Sequence, residues 1–219
     1  MSELSKYFTN AFSHSYKSKT PDEYVFQRGD YRFSVLSSRI IRVEKDEKRI
    51  FTDEATQTVI CRDFDRPQFS FSQDNNKIVI KTDDIIFRFD LPKGKTESIT
   101  LKDSRCVTNF KAGNLKGTYR TLDMINGSVR LGDGLMSTNG VSVVDDSKTV
   151  IVSTDGTLKE RRHIQKDEYY FAFGNDFRGC LKDFFKLCGS VPLVPRYCLG
   201  NWWSRYKDYS QQEYIDLMK

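Results

Sequence analysis

Between Tyr31 and Phe89, apolar residues recur at every second position in short runs separated by polar turns. No other feature restricts the fold as much, because a period of two puts alternate side chains on opposite faces of a strand and cannot build an apolar stripe on a helix. Tyr31-Arg-Phe-Ser-Val-Leu36 is interrupted by Ser37-Ser38 and resumes as Arg39-Ile-Ile-Arg-Val-Glu44, the pattern of an antiparallel hairpin. Gln68-Phe-Ser-Phe-Ser72, Lys77-Ile-Val-Ile-Lys81 and Ile85-Ile-Phe-Arg-Phe89 repeat the design, with turns at Asp74-Asn75-Asn76 and Asp83-Asp84. Helical periodicity does not intervene. The expected fold is therefore mainly β, an antiparallel β-sandwich and not a βαβ fold.

From Asn109 to Asp146 the chain becomes rich in Gly, Asn and Asp, including Gly113, Asn114, Gly117, Gly132, Gly134 and Gly140. So long a turn-rich connection inside a compact domain is usually functional or mobile. Strand patterns return at Val141-Ser-Val-Val144, Thr149-Val-Ile-Val152 and Glu168-Tyr-Tyr-Phe-Ala-Phe173. The period then switches. Asp176 can cap a helix whose Phe177, Cys180, Leu181, Phe184 and Cys188 share one face, and Gly189 can end it. Ser190-Val-Pro-Leu-Val-Pro195 reads as a stiff extended linker, since two prolines fix φ and disfavour helix in their neighbours. Arg196 to Arg205 reads as an apolar strand, and Ser210-Gln-Gln-Glu213 as a capping box opening a helix. A strand followed by a helix is half of a βαβ unit, and no parallel partner strand is evident in the chain. The sequence thus divides into an N-terminal arm at 1–23, a sandwich at 24–190 that includes the helix at 176–188, and a linker with a strand and helix at 191–219. An orphaned C-terminal strand of this kind is expected to promote self-association.

Several function classes are disfavoured. The chain carries 35 basic and 30 acidic residues for a net charge of +5, without the basic stripe that nucleic-acid binding needs. Cys61, Cys106, Cys180, Cys188 and Cys198 form no CxxC pair and are expected to be buried thiols of a reducing compartment. His14 and His163 are the only histidines, so no metal-ligand set is expected, and GxGxxG, GxxxxGK[ST] and GxSxG are absent, which leaves no cofactor or Ser-His signature. Neither a signal sequence nor a membrane span is evident, and the expected location is the cytoplasm. The acidic pairs Asp83-Asp84 and Asp145-Asp146 are expected to serve as turn and cap residues.

Tyr170-Phe-Ala-Phe-Gly-Asn-Asp-Phe-Arg-Gly-Cys-Leu-Lys-Asp-Phe-Phe-Lys-Leu-Cys-Gly189 followed by Val191-Pro-Leu-Val-Pro-Arg-Tyr-Cys-Leu-Gly-Asn-Trp-Trp-Ser-Arg-Tyr206 resembles a junction in glycoside hydrolase family 31. Asn114-Leu-Lys-Gly-Thr-Tyr-Arg-Thr-Leu-Asp123 and Asp133-Gly-Leu-Met-Ser-Thr-Asn-Gly140, ending in Asp145-Asp-Ser147, resemble sandwich loops of the same family. The resemblance implies a galactose-mutarotase-like sandwich handing over to a (β/α)₈ barrel, of which 191–219 would be a truncated first β/α unit. It also implies hydrolysis of α-linked glucosides with retention, by an aspartate nucleophile and an aspartate acid/base on later barrel strands. Retention needs two carboxyl groups about 5 Å apart across the scissile bond. The match ends before either aspartate, so no catalytic residue is assigned and the chain is expected to be inactive alone. Its expected role is to brace the barrel of an α-glucosidase-type enzyme and to form part of the substrate-pocket wall. Trp202, Trp203, Arg205, Tyr206 and Tyr209 would lie at and beyond the C-terminal end of the first barrel strand, where such enzymes build their sites. Asp133 would sit on a sandwich loop leaning over the barrel mouth.

Two other readings compete. A free-standing sandwich that binds carbohydrate or a protein is the main alternative. A sugar epimerase ranks below it, because only His163 is available in the sandwich strands for acid/base work.

Overall fold

The computed structural model describes residues 16–74, 76–117, 124–161, 166–191, 193–201 and 206–219. In chain order the strands are β1 (Val25–Arg28), β2 (Tyr31–Ser37), β3 (Ile40–Lys45), β4 (Ala55–Thr56), β5 (Phe69–Asp74), β6 (Lys77–Thr82) and β7 (Ile85–Asp90). They continue as β8 (Lys95–Leu101), β9 (Cys106–Val107), β10 (Val141–Asp145), β11 (Ile151–Val152), β12 (Leu158–Lys159) and β13 (Lys166–Ala172). The α-helices are α1 (Phe177–Cys188) and α2 (Gln211–Leu217).

Two five-stranded sheets carry the fold, one in the order β1-β2-β3-β13-β10 and the other β5-β6-β7-β8-β9, and a three-stranded sheet runs β12-β11-β4. Every pairing is antiparallel. The β2–β3 hairpin and the β5–β6–β7 meander fall where the alternation places them. Their inward positions Phe33, Val35, Ile41 and Val43 meet Ile78, Ile80, Phe87, Phe89 and Ile99 in one apolar core. Phe33 and Phe89 pack edge to face, with ring centres 5.1 Å apart. Each side chain removed from water here contributes about 1.5–3 kcal/mol before chain entropy is counted, so this layer is the main source of cohesion.

The first sheet is covered on its other face as well. Leu36, Ile40, Tyr169 and Phe171 pack against Cys180 and Leu187 of α1, together with Val59 and Phe64. The helix begins where its cap dictates: the Asp176 carboxylate accepts the Gly179 N–H at 2.9 Å and an Arg39 N–H at 2.6 Å. It ends at Gly189, whose φ of +93° is open to glycine, and a Cβ there would lie 2.8 Å from Ile60 Cδ1.

Several expectations need correction. Arg196–Leu199 forms a 3-10 turn and not a strand, residues 200–201 are not strand either, and 202–205 lie outside the described residues. A strand needs a neighbour to satisfy its backbone groups, and among the described residues none pairs with this segment. The end of the N-terminal arm is docked: Arg62 N–H donates to Lys17 O at 2.7 Å and its guanidinium to Ser18 O at 2.6 Å. Residues 1–15, with His14, lie outside the description, as does His163. The cysteines are free but not uniformly buried. Cys180 is buried while Cys106 is exposed, because β9 is an edge strand with a single neighbour. Among the described residues no helix is long and apolar enough to cross a membrane.

Candidate functional site

The Gly- and Asn-rich stretch folds back on itself as an arm. Its legs are zipped by backbone bonds from Leu115 N to Met136 O at 2.9 Å, Gly117 N to Gly132 O at 2.8 Å and Thr138 N to Gly113 O at 2.8 Å. The Asn114 amide adds a reciprocal pair, donating to Gly134 O at 2.9 Å and accepting from Gly134 N at 2.9 Å. A Cβ at Gly134 would fall 2.9 Å from the Lys116 carbonyl, so close approach of the legs requires glycine there. Asp133 therefore stands at a fixed place. Its exposed carboxylate pairs with Lys116 at 2.5 Å, and that hydrogen bond, then the lysine charge, holds it below the usual aspartate range.

Beside the arm lies a cleft of about 960 Å³ bounded by Asp133 and Gly134, by β8, by the edge strand β10, by β13 and by Phe184 of α1. Its buried surface includes Thr96, Ser142 and Tyr170. The Tyr170 hydroxyl donates to Glu168 Oε2 at 2.5 Å, and Lys166 pairs with Glu168 at 2.9 Å. Burial first, and the Glu168 charge second, push the Tyr170 phenol well above its ordinary range, so it stays a neutral donor. Phe110 stands edge-on to Tyr170 with ring centres 5.5 Å apart at 82°. The rim is polar, with Lys93, Lys95, Glu97, Lys111 and Asp145. Such a lining can hold a ligand that both donates and accepts hydrogen bonds and offers apolar patches to the rings.

Of the residues expected to bind substrate, Asp133 is in this cleft. Tyr206 is fully exposed; Tyr209 is half-buried, its ring 6.0 Å from that of Tyr214 and 5.2 Å from the Lys207 ammonium. Neither tyrosine lines the cleft. Trp202, Trp203 and Arg205 lie outside the described residues. The acidic pairs divide. Asp84 accepts from Ser38 Oγ at 2.5 Å and Asp145 closes a turn by accepting Ser147 N–H at 3.0 Å. Asp146 opens a turn as expected, its carbonyl accepting Thr149 N–H at 3.4 Å, but its side chain is also fully buried, accepting from Thr56 Oγ1 at 2.8 Å and pairing with Arg161 at 2.7 Å.

Asp146 belongs to a buried ion network that the sequence did not reveal. Arg32 pairs with Glu44 at 2.7 Å and with Asp53 at 2.9 Å. Arg42 pairs with Asp167 at 2.8 Å and Glu44 at 3.0 Å, and Arg161 reaches Asp167 at 3.0 Å. Burial, the largest single influence, pushes the Asp167 carboxyl up, but Arg42, Arg62 and Arg161 together pull it down and the net shift is downward. The network ties the first sheet to Thr56 of β4, and its charges pair with one another inside the fold, so its role is structural.

With this geometry established, three comparisons bear on kinship. No family model matches the chain. An α-xylosidase from Saccharolobus solfataricus is 33% identical over 55 residues, which is 25% of this chain and 8% of that protein. A dextranase of glycoside hydrolase family 31 from Flavobacterium johnsoniae, in a mutant form complexed with isomaltotriose, superposes with a TM-score of 0.50 at 14% identity. That superposition covers 80% of this chain and 28% of the dextranase. The chain shares its fold with part of that enzyme. The same dextranase complexed with glucose gives the same TM-score and coverage. The chain therefore spans little more than a quarter of the dextranase and less than a tenth of the xylosidase, and it is similar in sequence and fold to these glycoside hydrolases.

Proposed function

We infer that this chain is the non-catalytic, N-terminal β-sandwich portion of a retaining α-glucosidase-type enzyme of glycoside hydrolase family 31. The observation that carries the reading is the superposition of 80% of the chain on 28% of a family 31 dextranase. The local identity to an α-xylosidase supports it independently. In this reading the sandwich is of galactose-mutarotase type and 191–219 opens the (β/α)₈ barrel. The arm carrying Asp133 leans over the barrel mouth as one wall of the sugar pocket, and Trp202, Trp203, Arg205, Tyr206 and Tyr209 line its floor once the barrel strands surround them. The substrate is an α-glucoside, bound in the cytoplasm without a cofactor.

Two measurements test this. The 219-residue chain should release no nitrophenol from an aryl α-glucoside, and turnover that co-purifies with the monomer would contradict the non-catalytic role. The reading frame beyond the codon for Lys219 should continue into further β/α units. A stop codon there would favour the free-standing sandwich.

A further inference from the structure

We propose that Asn126 is a modification site: its side chain deamidates spontaneously through a succinimide closed by the Gly127 backbone nitrogen, while the fold protects every other pair of this kind among the described residues.

The reaction needs particular neighbours. A backbone nitrogen must reach the side-chain carbonyl carbon of the residue before it, and glycine leaves that approach open because it has no Cβ and the widest choice of φ. Asparagine closes the ring with loss of ammonia, and aspartate closes the same ring more slowly with loss of water. The chain holds four such pairs, Asn126-Gly127, Asn139-Gly140, Asp133-Gly134 and Asp155-Gly156. Sequence alone makes the two Asn-Gly pairs equivalent.

Their surroundings separate them. Three of the four glycine N–H groups are engaged, Gly134 N with Asn114 Oδ1 at 2.9 Å, Gly140 N with Ser137 O at 3.3 Å and Gly156 N with Ser153 O at 2.9 Å. A nitrogen so bonded must first break free before it can lose its proton and turn toward the side chain. Asn139 is held at both ends of its amide as well. Its Oδ1 accepts from Ser137 Oγ at 2.6 Å and from Val141 N at 3.0 Å, and its Nδ2 donates to Asn109 O at 3.0 Å. Gly140 also lies against Gly174, where an added Cβ would fall 2.6 Å from the Gly174 Cα. The backbone there has no room to swing.

Asn126 and Gly127 carry none of these restraints. Both are exposed, on the part of the arm beyond its last zipped pair, Gly117 and Gly132. Among the described residues no hydrogen bond engages the Asn126 amide or the Gly127 N–H. A Cβ on Gly127 would meet nothing within 4 Å, so the segment is free to reach the ring-closing geometry.

Water is the only co-reactant. Hydroxide takes the Gly127 amide proton as the nitrogen bonds to Asn126 Cγ; the Cγ–Nδ2 bond then breaks, and ammonia leaves with a proton from water that regenerates the hydroxide. Water next opens the ring. Cleavage between nitrogen and Cγ gives aspartate, and cleavage between nitrogen and the Asn126 main-chain carbonyl carbon gives isoaspartate. Either product lowers the net charge of +5 by one.

The test is incubation of the 219-residue chain at mildly alkaline pH, with acidic species separated by ion exchange and located by peptide mapping and isoaspartate detection. Conversion at 126 is expected to run at least about tenfold faster than at 139, because Asn139 must wait for local opening. Asn126→Gln should remove the main acidic species, since its longer side chain closes a larger ring far more slowly. In urea that unfolds the chain, Asn139 should convert as fast as Asn126. The proposal is overturned by native conversion at 139 that matches 126, by a main acidic species that Asn126→Gln leaves unchanged, or by a chain still intact when an Asn-Gly model peptide has fully converted. A slow Asn139 in urea would overturn it too, because the fold would then not be what protects that pair.

Discussion

Asp176 shows how much a single side chain can organise. Its carboxylate accepts the Gly179 N–H at the first turn of α1 and binds Arg39, whose other nitrogen reaches Asp183, about two turns along the helix. Replacing an N-cap of this kind by alanine costs about 1 kcal/mol, and the half-exposed ion pair adds little. Asp176→Ala should therefore lower stability to urea by about that amount at neutral pH. The backbone N–H first, and Arg39 second, hold this carboxyl below its ordinary value of 3.8. A depressed folded pKa means that the stabilisation is complete above the unfolded value and is lost as pH falls through the folded one. The gap between native and Asp176→Ala chains should stay constant from neutral pH to about pH 4 and close below it. A gap that stayed constant well into the acid range would show that the cap does not act through its charged form.

At the scale of elements, the buried ion network decides how the small sheet sits on the first sheet. Removing one member of a buried pair leaves the other charged and unsolvated, which costs about 3–5 kcal/mol, whereas removing both can be nearly neutral. Asp167→Asn should thus be strongly destabilising in chemical denaturation. The double variant Arg42→Met with Asp167→Leu should cost less than the sum of the two single changes. Additive losses would mean that the pair is not coupled. This network also marks where sequence reading stopped. β2, β3, β6, β7 and α1 were legible because Phe33, Val35, Ile41, Ile78, Ile80 and Phe87 keep the strand period and Asp176 and Gly189 bracket the helical one. Arg32, Arg42 and Glu44 keep the same alternation, but nothing local says that a later layer will cover their face. β8 was missed because Thr96, Ser98 and Thr100 blur its apolar alternation. The arm with Asp133 was legible from its glycines. That Glu168 and Tyr170 would stand beside Asp145 and Val143 was not, because strand register and not sequence spacing makes them neighbours.

For the whole molecule, the question is which parts the cores hold. Among the described residues from 191 onward none is buried, and Leu193, Tyr197, Leu199 and Met218 are strongly exposed. Ending the chain at Pro195 therefore removes little buried surface and should shift the melting temperature by no more than about 2 °C, the change expected for well under 1 kcal/mol in a domain of this size. Self-association measured by sedimentation should fall, because exposed apolar side chains go with the tail. Ending the chain at Gly174 is a different experiment. It removes α1, and with it Cys180 and Leu187, which cover Ile40, Tyr169 and Phe171. Each of those buried groups contributes on the order of 1.5–3 kcal/mol, so this shorter chain should lose most of its stability and expose surface that binds hydrophobic dyes. If the chain ending at Pro195 instead fails to fold, the tail belongs to the sandwich core and the boundary at 190 is misplaced. If both shortened chains melt like the full one, α1 is an appendage, and the layer it forms with the first sheet contributes nothing measurable to stability.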